Sequence, residues 1–230
     1  MGRQDIVALM RDAFHDELDS IGQTLIDMGN LVGTAVQLAT TALLTADLKI
    51  AEQVISEDTK IDNMQHELDA KTLNILAREQ PVAGDLRTLI TSLRMSADLE
   101  RMGDLAHHIA KLARMRFPST AVPPELVLTI QEMSDVLTRI ITKTTGVLRT
   151  HDLESAIQLE KDDDEMDKLH RKLFLVLLDD AWPHGIETAI DMTLLGRYYE
   201  RCADHAVSVC RRVYFLVTGE YASEQAYPFP

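Results

Sequence analysis

The strongest constraint on this chain is a motif that returns after one hundred residues. Asp98-Leu99-Glu100-Arg101-Met102-Gly103-Asp104 comes back as Tyr198-Tyr199-Glu200-Arg201-Cys202-Ala203-Asp204, with Glu, Arg and Asp in register. A fixed register over that distance marks an internal repeat, so the fold must be built twice. In both copies the acids stand four apart. On an α-helix that spacing puts them about 40° apart on one face, one turn of rise between them. Like charges at this spacing repel and weaken an isolated helix. Two matching occurrences therefore call for a compensating partner, and a bound cation is one.

The rest of the chain divides around the repeat. Phe14, Leu18, Ile21, Leu25, Met28, Val32, Ala35 and Leu38 step by three and four, which predicts a helix from Asp12 to about Thr45. Gly22, Gly29 and Gly33 allow close approach of a neighbour there. Asp47 is placed to cap a second helix, which runs to Arg78 through Ile50, Val54, Ile61, Met64, Leu68, Leu73 and Leu76. After the break at Pro81, a third helix carries Leu86, Leu89, Ile90, Leu93, Leu99, Ile109 and Leu112 and fades near Phe117. Phe117-Pro118-Ser119-Thr120-Ala121-Val122-Pro123-Pro124 is the clearest punctuation. Beyond it the order repeats: helices over 124–149, 152–180 and 186–218, with Trp182-Pro183-His184-Gly185 as the break between the last two. Short turns make sequential helices antiparallel neighbours. The expected architecture is all-α: two tandem antiparallel three-helix bundles related by pseudo-twofold symmetry. The first occupies 1–117, the second 118–218, and residues 219–230 form an unstructured tail.

The acid pattern extends to the second helix of each half. Asp58 and Asp62 on one, and Asp163 and Asp167 on the other, are again four apart. Helices two and three of each half run side by side, so Asp58, Asp62, Glu100 and Asp104 form one candidate set and Asp163, Asp167, Glu200 and Asp204 the other. Oxygen donors of this kind suit hard cations such as Mg²⁺, Ca²⁺, Mn²⁺ or Fe³⁺. His107 falls about 20° from Glu100 on the same face, and His170 has the same relation to Asp163. Imidazole admits Zn²⁺ or iron as well. The plainer reading is a solvated acidic face. The crowded Glu160, Asp162, Asp164 and Glu165 fit that reading, near the start of their helix where acids suit the dipole. Arg87, Arg94 and Arg101 recur every seven residues beside the acids. They form either an anion site or countercharge with stems over apolar surface, and the second reading is favoured.

Charge and composition exclude other classes. A formal net charge of −14 argues against nucleic acid and against anionic lipid as partners. No apolar run approaches the roughly 20 residues of a membrane span, and the start of the chain lacks a secretory core. Cys202 and Cys210 lie about 12 Å apart on one helix, too far to pair, and read as small buried side chains in a reducing cytoplasm.

Taken together, Asp58-Thr59-Lys60-Ile61-Asp62 with Leu99-Glu100-Arg101-Met102-Gly103-Asp104, and Asp163-Asp164-Glu165-Met166-Asp167 with Tyr199-Glu200-Arg201-Cys202-Ala203-Asp204, resemble the paired acidic motifs of the PhoU family of phosphate-transport regulators. The resemblance covers about residues 12–218. It implies two three-helix bundles with multinuclear iron or zinc clusters at the paired motifs. It implies a cytoplasmic, dimeric, non-enzymatic protein that restrains phosphate uptake and phosphate-starvation signalling. The implied partners are the ATPase of the phosphate ABC transporter and the sensor histidine kinase. Where such proteins often carry Asn four residues after the last motif Asp, this chain has His108 and Ser208. A carboxylate-bridged di-metal oxidase and a metal-free helical adaptor are the alternatives. The oxidase is disfavoured because Asp104-x-x-His107 and Asp167-x-x-His170 sit in different halves.

Overall fold

The computed structural model describes residues 3–221, with side chains from Arg11 onward. Among them are six α-helices and no strand: α1 (Arg3–Thr45), α2 (Leu48–Glu79), α3 (Ala83–Arg116), α4 (Val127–Thr150), α5 (Leu153–Leu177) and α6 (Gly185–Thr218). A single 3₁₀ turn, Pro124–Leu126, leads into α4.

Local chemistry sets most of the boundaries. Asp47 caps α2 by accepting a hydrogen bond from the Ile50 amide at 3.0 Å, and Asp152 caps α5 by accepting from the Glu154 amide at 3.1 Å. Gln80 (φ 48°) and His151 (φ 54°) end α2 and α4 in the left-handed conformation. Helix α1 starts at Arg3, ahead of the expected Asp12. Helix α5 stops at Leu177, short of the expected Asp180. There the Asp179 carboxylate accepts from the Ala181 amide at 2.8 Å and turns the chain out of the helix. Of the tail expected over 219–230, Gly219 (φ 77°) terminates α6 and Tyr221 stacks on Phe215 at 4.4 Å. Residues 222–230 lie outside the described part.

Four helices form the middle of the molecule. α3 lies antiparallel to α6, with Arg87 against Leu216, Asp98 against His205, Met102 against Cys202 and Arg116 against Glu187. Contacts at Met102 and Cys202, the repeat partners themselves, put the pseudo-twofold axis there. α1 lies antiparallel to α4. A Cβ added at Gly29 would sit 2.7 Å from Thr145 Oγ1, and one at Gly33 would sit 3.4 Å from Ile141, so these two glycines set the close approach. α2 packs outside on α1 and α3, and α5 outside on α4 and α6.

One continuous apolar core runs through both halves. Its polar centre is Thr40, which donates to the Val36 carbonyl at 2.9 Å and accepts from Ser134 at 3.0 Å and from the Tyr199 hydroxyl at 2.7 Å. One donor and two acceptor sites are thus all used, tying α1, α4 and α6 together at a buried point. The apolar stripe of α2 departs from expectation at one place. Leu73 is 62% exposed, while Thr72 and Ile75 are buried. The three-and-four stepping from Leu68 leads to Thr72, and geometry overrides apolarity. Leu86 and Ile90 of α3 are likewise about 40% exposed. Cys202 and Cys210 are free and buried as expected, and burial pushes the Cys210 thiol up to about 12.

Candidate metal centres on the outer helix pairs

The two outer seams, α2 on α3 and α5 on α6, carry all ten candidate residues. In the first seam Gly103 allows the helices to meet. A Cβ there would lie 2.9 Å from Ile61 Cδ1 and 3.6 Å from Asp58 Oδ1. One turn further along α3, the His107 Nδ1 is hydrogen-bonded to the Asp58 carboxylate of α2, both side chains less than 20% exposed. Asp62 and Glu100 complete the face with Asp104. Burial raises the Asp62 carboxyl above the ordinary carboxylate range, the charges of Asp58 and Asp104 add to it, and His66 and His107 oppose it. Glu100 is raised by burial, then by Asp104, against Arg101. Arg101 donates to Asp104 Oδ2 at 2.8 Å and stands 3.7 Å from Glu100.

In the second seam Gly196 plays the close-approach role, since a Cβ there would lie 2.7 Å from Leu173 Cδ2 and 3.1 Å from the His170 ring. Asp163 is pushed up to about 7, by burial first and then by Asp204, Asp167 and Glu200. Glu200 is raised by burial and by Asp204 despite an ion pair with Arg197. Asp204 is raised by burial and by Asp167, against Arg197. His170 is lowered by burial and by Arg197, against the pull of Asp167 and Asp204.

The structure thus brings Asp58, Asp62, Glu100, Asp104 and His107 to one face, and Asp163, Asp167, His170, Glu200 and Asp204 to another. Three buried polar atoms in these seams have no hydrogen-bond partner among the described residues: His107 Nε2, His170 Nε2 and Glu200 Oε2. Orphaned buried acceptors of that kind are costly unless something fills them. The donor chemistry therefore fits a hard or borderline cation. The arrangement as it stands is not a coordination sphere. Among the described residues, no group of three or more His, Cys, Asp or Glu is positioned to hold a metal ion. Arg101 and Arg197 hold Asp104 and Glu200 in ion pairs instead.

The repeat and the two seams have a match among known proteins. The PhoU domain family covers residues 25–113 and 130–213, one segment in each half. The chain belongs to the PhoU family. It is 46% identical over 212 residues to the phosphate-specific transport system accessory protein PhoU homolog 2 of Mycobacterium tuberculosis (strain ATCC 25618 / H37Rv), covering 92% of this chain and 100% of the relative. It is 43% identical over 219 residues to PhoU homolog 1 of Mycobacterium leprae (strain TN), covering 95% and 99%. Its fold superposes on the crystal structure of PhoU from Pseudomonas aeruginosa with a TM-score of 0.81 at 29% identity, covering 90% of this chain and all of that one. The regulatory protein PhoU from Streptococcus pneumoniae gives 0.80 at 25%, covering 91% and 99%.

Within this PhoU-family chain, several polar residues escaped sequence reasoning. His66 opposes the burial-raised Asp62 from one turn along α2, and its spacing of four from Asp62 was the available signal. Between the halves, buried Asp98 accepts from Arg212 Nε at 2.7 Å and pairs with His205 Nδ1 at 3.0 Å. At the other end Arg116 bridges Asp191 and Glu187, both at 2.6 Å. These join α3 to α6 and have no counterpart in local sequence pattern.

Proposed function

We propose that this PhoU-family protein is a non-enzymatic accessory regulator of phosphate transport. It restrains uptake and phosphate-starvation signalling by docking on the ATPase of a phosphate ABC transporter and on the sensor histidine kinase. The observation that carries the reading is the family match through both halves, with relatives named as phosphate-transport accessory proteins at 41–46% identity. The acidity of the chain, at −14, favours protein partners over nucleic acid or lipid. No helix among the described residues is long and apolar enough to cross a membrane. We place the protein in the cytoplasm as a homodimer.

The same reading assigns metal to the two seams: Asp58, Asp62, Glu100, Asp104 and His107 in one, and Asp163, Asp167, His170, Glu200 and Asp204 in the other. Iron or zinc suits the mixed imidazole and carboxylate donors, and manganese, magnesium or calcium suits the carboxylates alone. Bound metal would cross-link each outer helix to its inner neighbour. Arg101 and Arg197 hold the carboxylates in the meantime and must release them. Because α2 and α5 pack on separate inner helices, the acids of the two halves do not share the single four-helix site that a di-metal oxidase needs.

A strain lacking the protein, and any second copy of its gene, tests the regulatory reading in phosphate-rich medium. Unrestrained uptake or a switched-on starvation reporter is expected. Uptake and reporter both equal to the parent strain would overturn it.

A further inference from the structure

We propose that the cleft between α3 and α6 binds a small phosphate-bearing anion. The proposal stands on the cleft alone and does not depend on the docking reading.

On a chain of net charge −14, three arginines line one cavity of about 210 Å³: Arg94 from α3, and Arg211 and Arg212 from α6. Among the described residues, Glu160 and Asp98 reach two of them. Arg211 Nε donates to Glu160 at 2.5 Å and Arg212 Nε donates to Asp98 at 2.7 Å. Asp98 is shared further with His205. No carboxylate among the described residues reaches Arg94, so its positive charge is left uncompensated there at the cavity. Arg94 makes no hydrogen bond or ion pair with any described residue. The Asp98 contact uses only Nε of Arg212, and its terminal nitrogens hydrogen-bond to no described residue.

The hydroxyls point to the same chemistry. Serines and threonines within helices commonly donate back along the chain, as Thr88 does to the Gly84 carbonyl at 3.1 Å. Thr91 and Ser208, which line this cavity from opposite helices, make no such bond within the described residues. They add two uncommitted hydroxyls to the guanidinium donors. Planar guanidinium groups with nearby hydroxyls match the oxygens of a phosphoryl group. The far wall is apolar, formed by Phe215 with Tyr221 stacked on it at 4.4 Å and 15°. A water occupies about 30 Å³ in the liquid. The cavity therefore has room for a phosphate and for a small ring or chain beyond it. Free inorganic phosphate and the phosphate of a small metabolite share this chemistry, and either would bridge the two halves of the molecule.

The test is calorimetric titration of the chelator-treated, full-length protein with inorganic phosphate and, separately, with AMP, against chloride at equal ionic strength. Arg94→Gln is the informative variant, because Arg94 has no partner among the described residues and its loss leaves melting in chloride unchanged. Arg94→Lys restores the charge without the fork. Saturable binding of one anion per chain is expected, weakened roughly tenfold or more in Arg94→Gln and partly recovered in Arg94→Lys. Binding of phosphate with AMP excluded identifies the free ion as the ligand. Tighter binding of AMP identifies a phosphorylated metabolite. Absence of saturable binding of either at millimolar concentration overturns the proposal, and so does parental affinity in Arg94→Gln.

Discussion

The two acidic seams have the same carboxylate spacing and a different internal balance of charge. In the first, a histidine and a carboxylate are hydrogen-bonded to each other across the helix pair, His107 with Asp58. In the second, His170 has no such partner among the described residues, burial and then the charge of Arg197 lower it, and Asp163 is pushed up to about 7. The difference comes from which helix carries the histidine. His107 extends from α3 towards the acids of α2, whereas His170 sits on α5 with the acids of its own helix. A repeat preserves the acid faces, and the helix that carries the imidazole decides whether a carboxylate gains a hydrogen-bond partner across the pair.

The largest effect should come from separating the helices. Gly103→Val and Gly196→Val each place side-chain atoms into a neighbour closer than 3 Å. Each should destabilise by about 2–3 kcal/mol, lowering the melting temperature by several degrees for a chain of this size. Equal melting of parent and variants would show that the seams are looser than described.

The histidines should behave unequally. His107→Ala strands the buried Asp58 carboxylate, so a loss of about 1–3 kcal/mol in denaturant titration is expected. His170→Ala removes no hydrogen bond, only a ring packed 4.8 Å from Phe174, and should cost about half as much or less. Equal losses would remove the contrast between the seams.

The pH dependence should follow the second seam. An acid whose pKa is higher folded than unfolded holds a proton in the folded state that the unfolded state has released. Its stabilising contribution is full below the unfolded value and is lost as pH rises through the folded one. For Asp163 that window runs from the ordinary 3.8 to about 7. Metal-free protein should lose of the order of 1–2 kcal/mol across it after solvent screening. Asp163→Asn should flatten that slope more than Asp62→Asn does. Parallel pH profiles for parent and Asp163→Asn would contradict the assignment.

Much of this contrast was legible in sequence, and the reasons for the rest are physical. Asp47 announced its helix because capping is local. The acid faces were readable because helical spacing fixes which side chains share a side. The burial of Thr72 in place of Leu73 was hidden, because registry within a stripe depends on the neighbouring helix. So was the pairing of α1 with α4 and of α3 with α6, since nothing local encodes an antiparallel contact between residues one hundred apart. The arginine series read as one group, yet Arg101 serves the acidic seam, Arg94 the inner cleft, and Arg87 covers Phe215 at 5.7 Å and donates to the Leu216 carbonyl.

The smallest effect concerns the guanidinium partners. Arg101→Gln removes an exposed ion pair and should shift stability by no more than about 0.5 kcal/mol. Arg197→Gln, which unpairs the mostly buried Glu200 carboxylate, should cost about 1 kcal/mol. Both should strengthen metal binding several-fold by freeing Asp104 and Glu200. Unchanged or weaker affinity in calorimetry would mean that these arginines do not compete with a cation.

The central claim is that the paired acid faces are cation sites, one per half. Elemental analysis after reconstitution with iron, zinc or manganese tests it most directly, on the parent, Asp104→Ala, Asp204→Ala and the double variant. The account predicts that each single variant loses the metal of one half and keeps that of the other. The double variant should lose nearly all of it while remaining folded by circular dichroism. Metal content in the double variant equal to the parent's, or no metal in the parent at all, would contradict it.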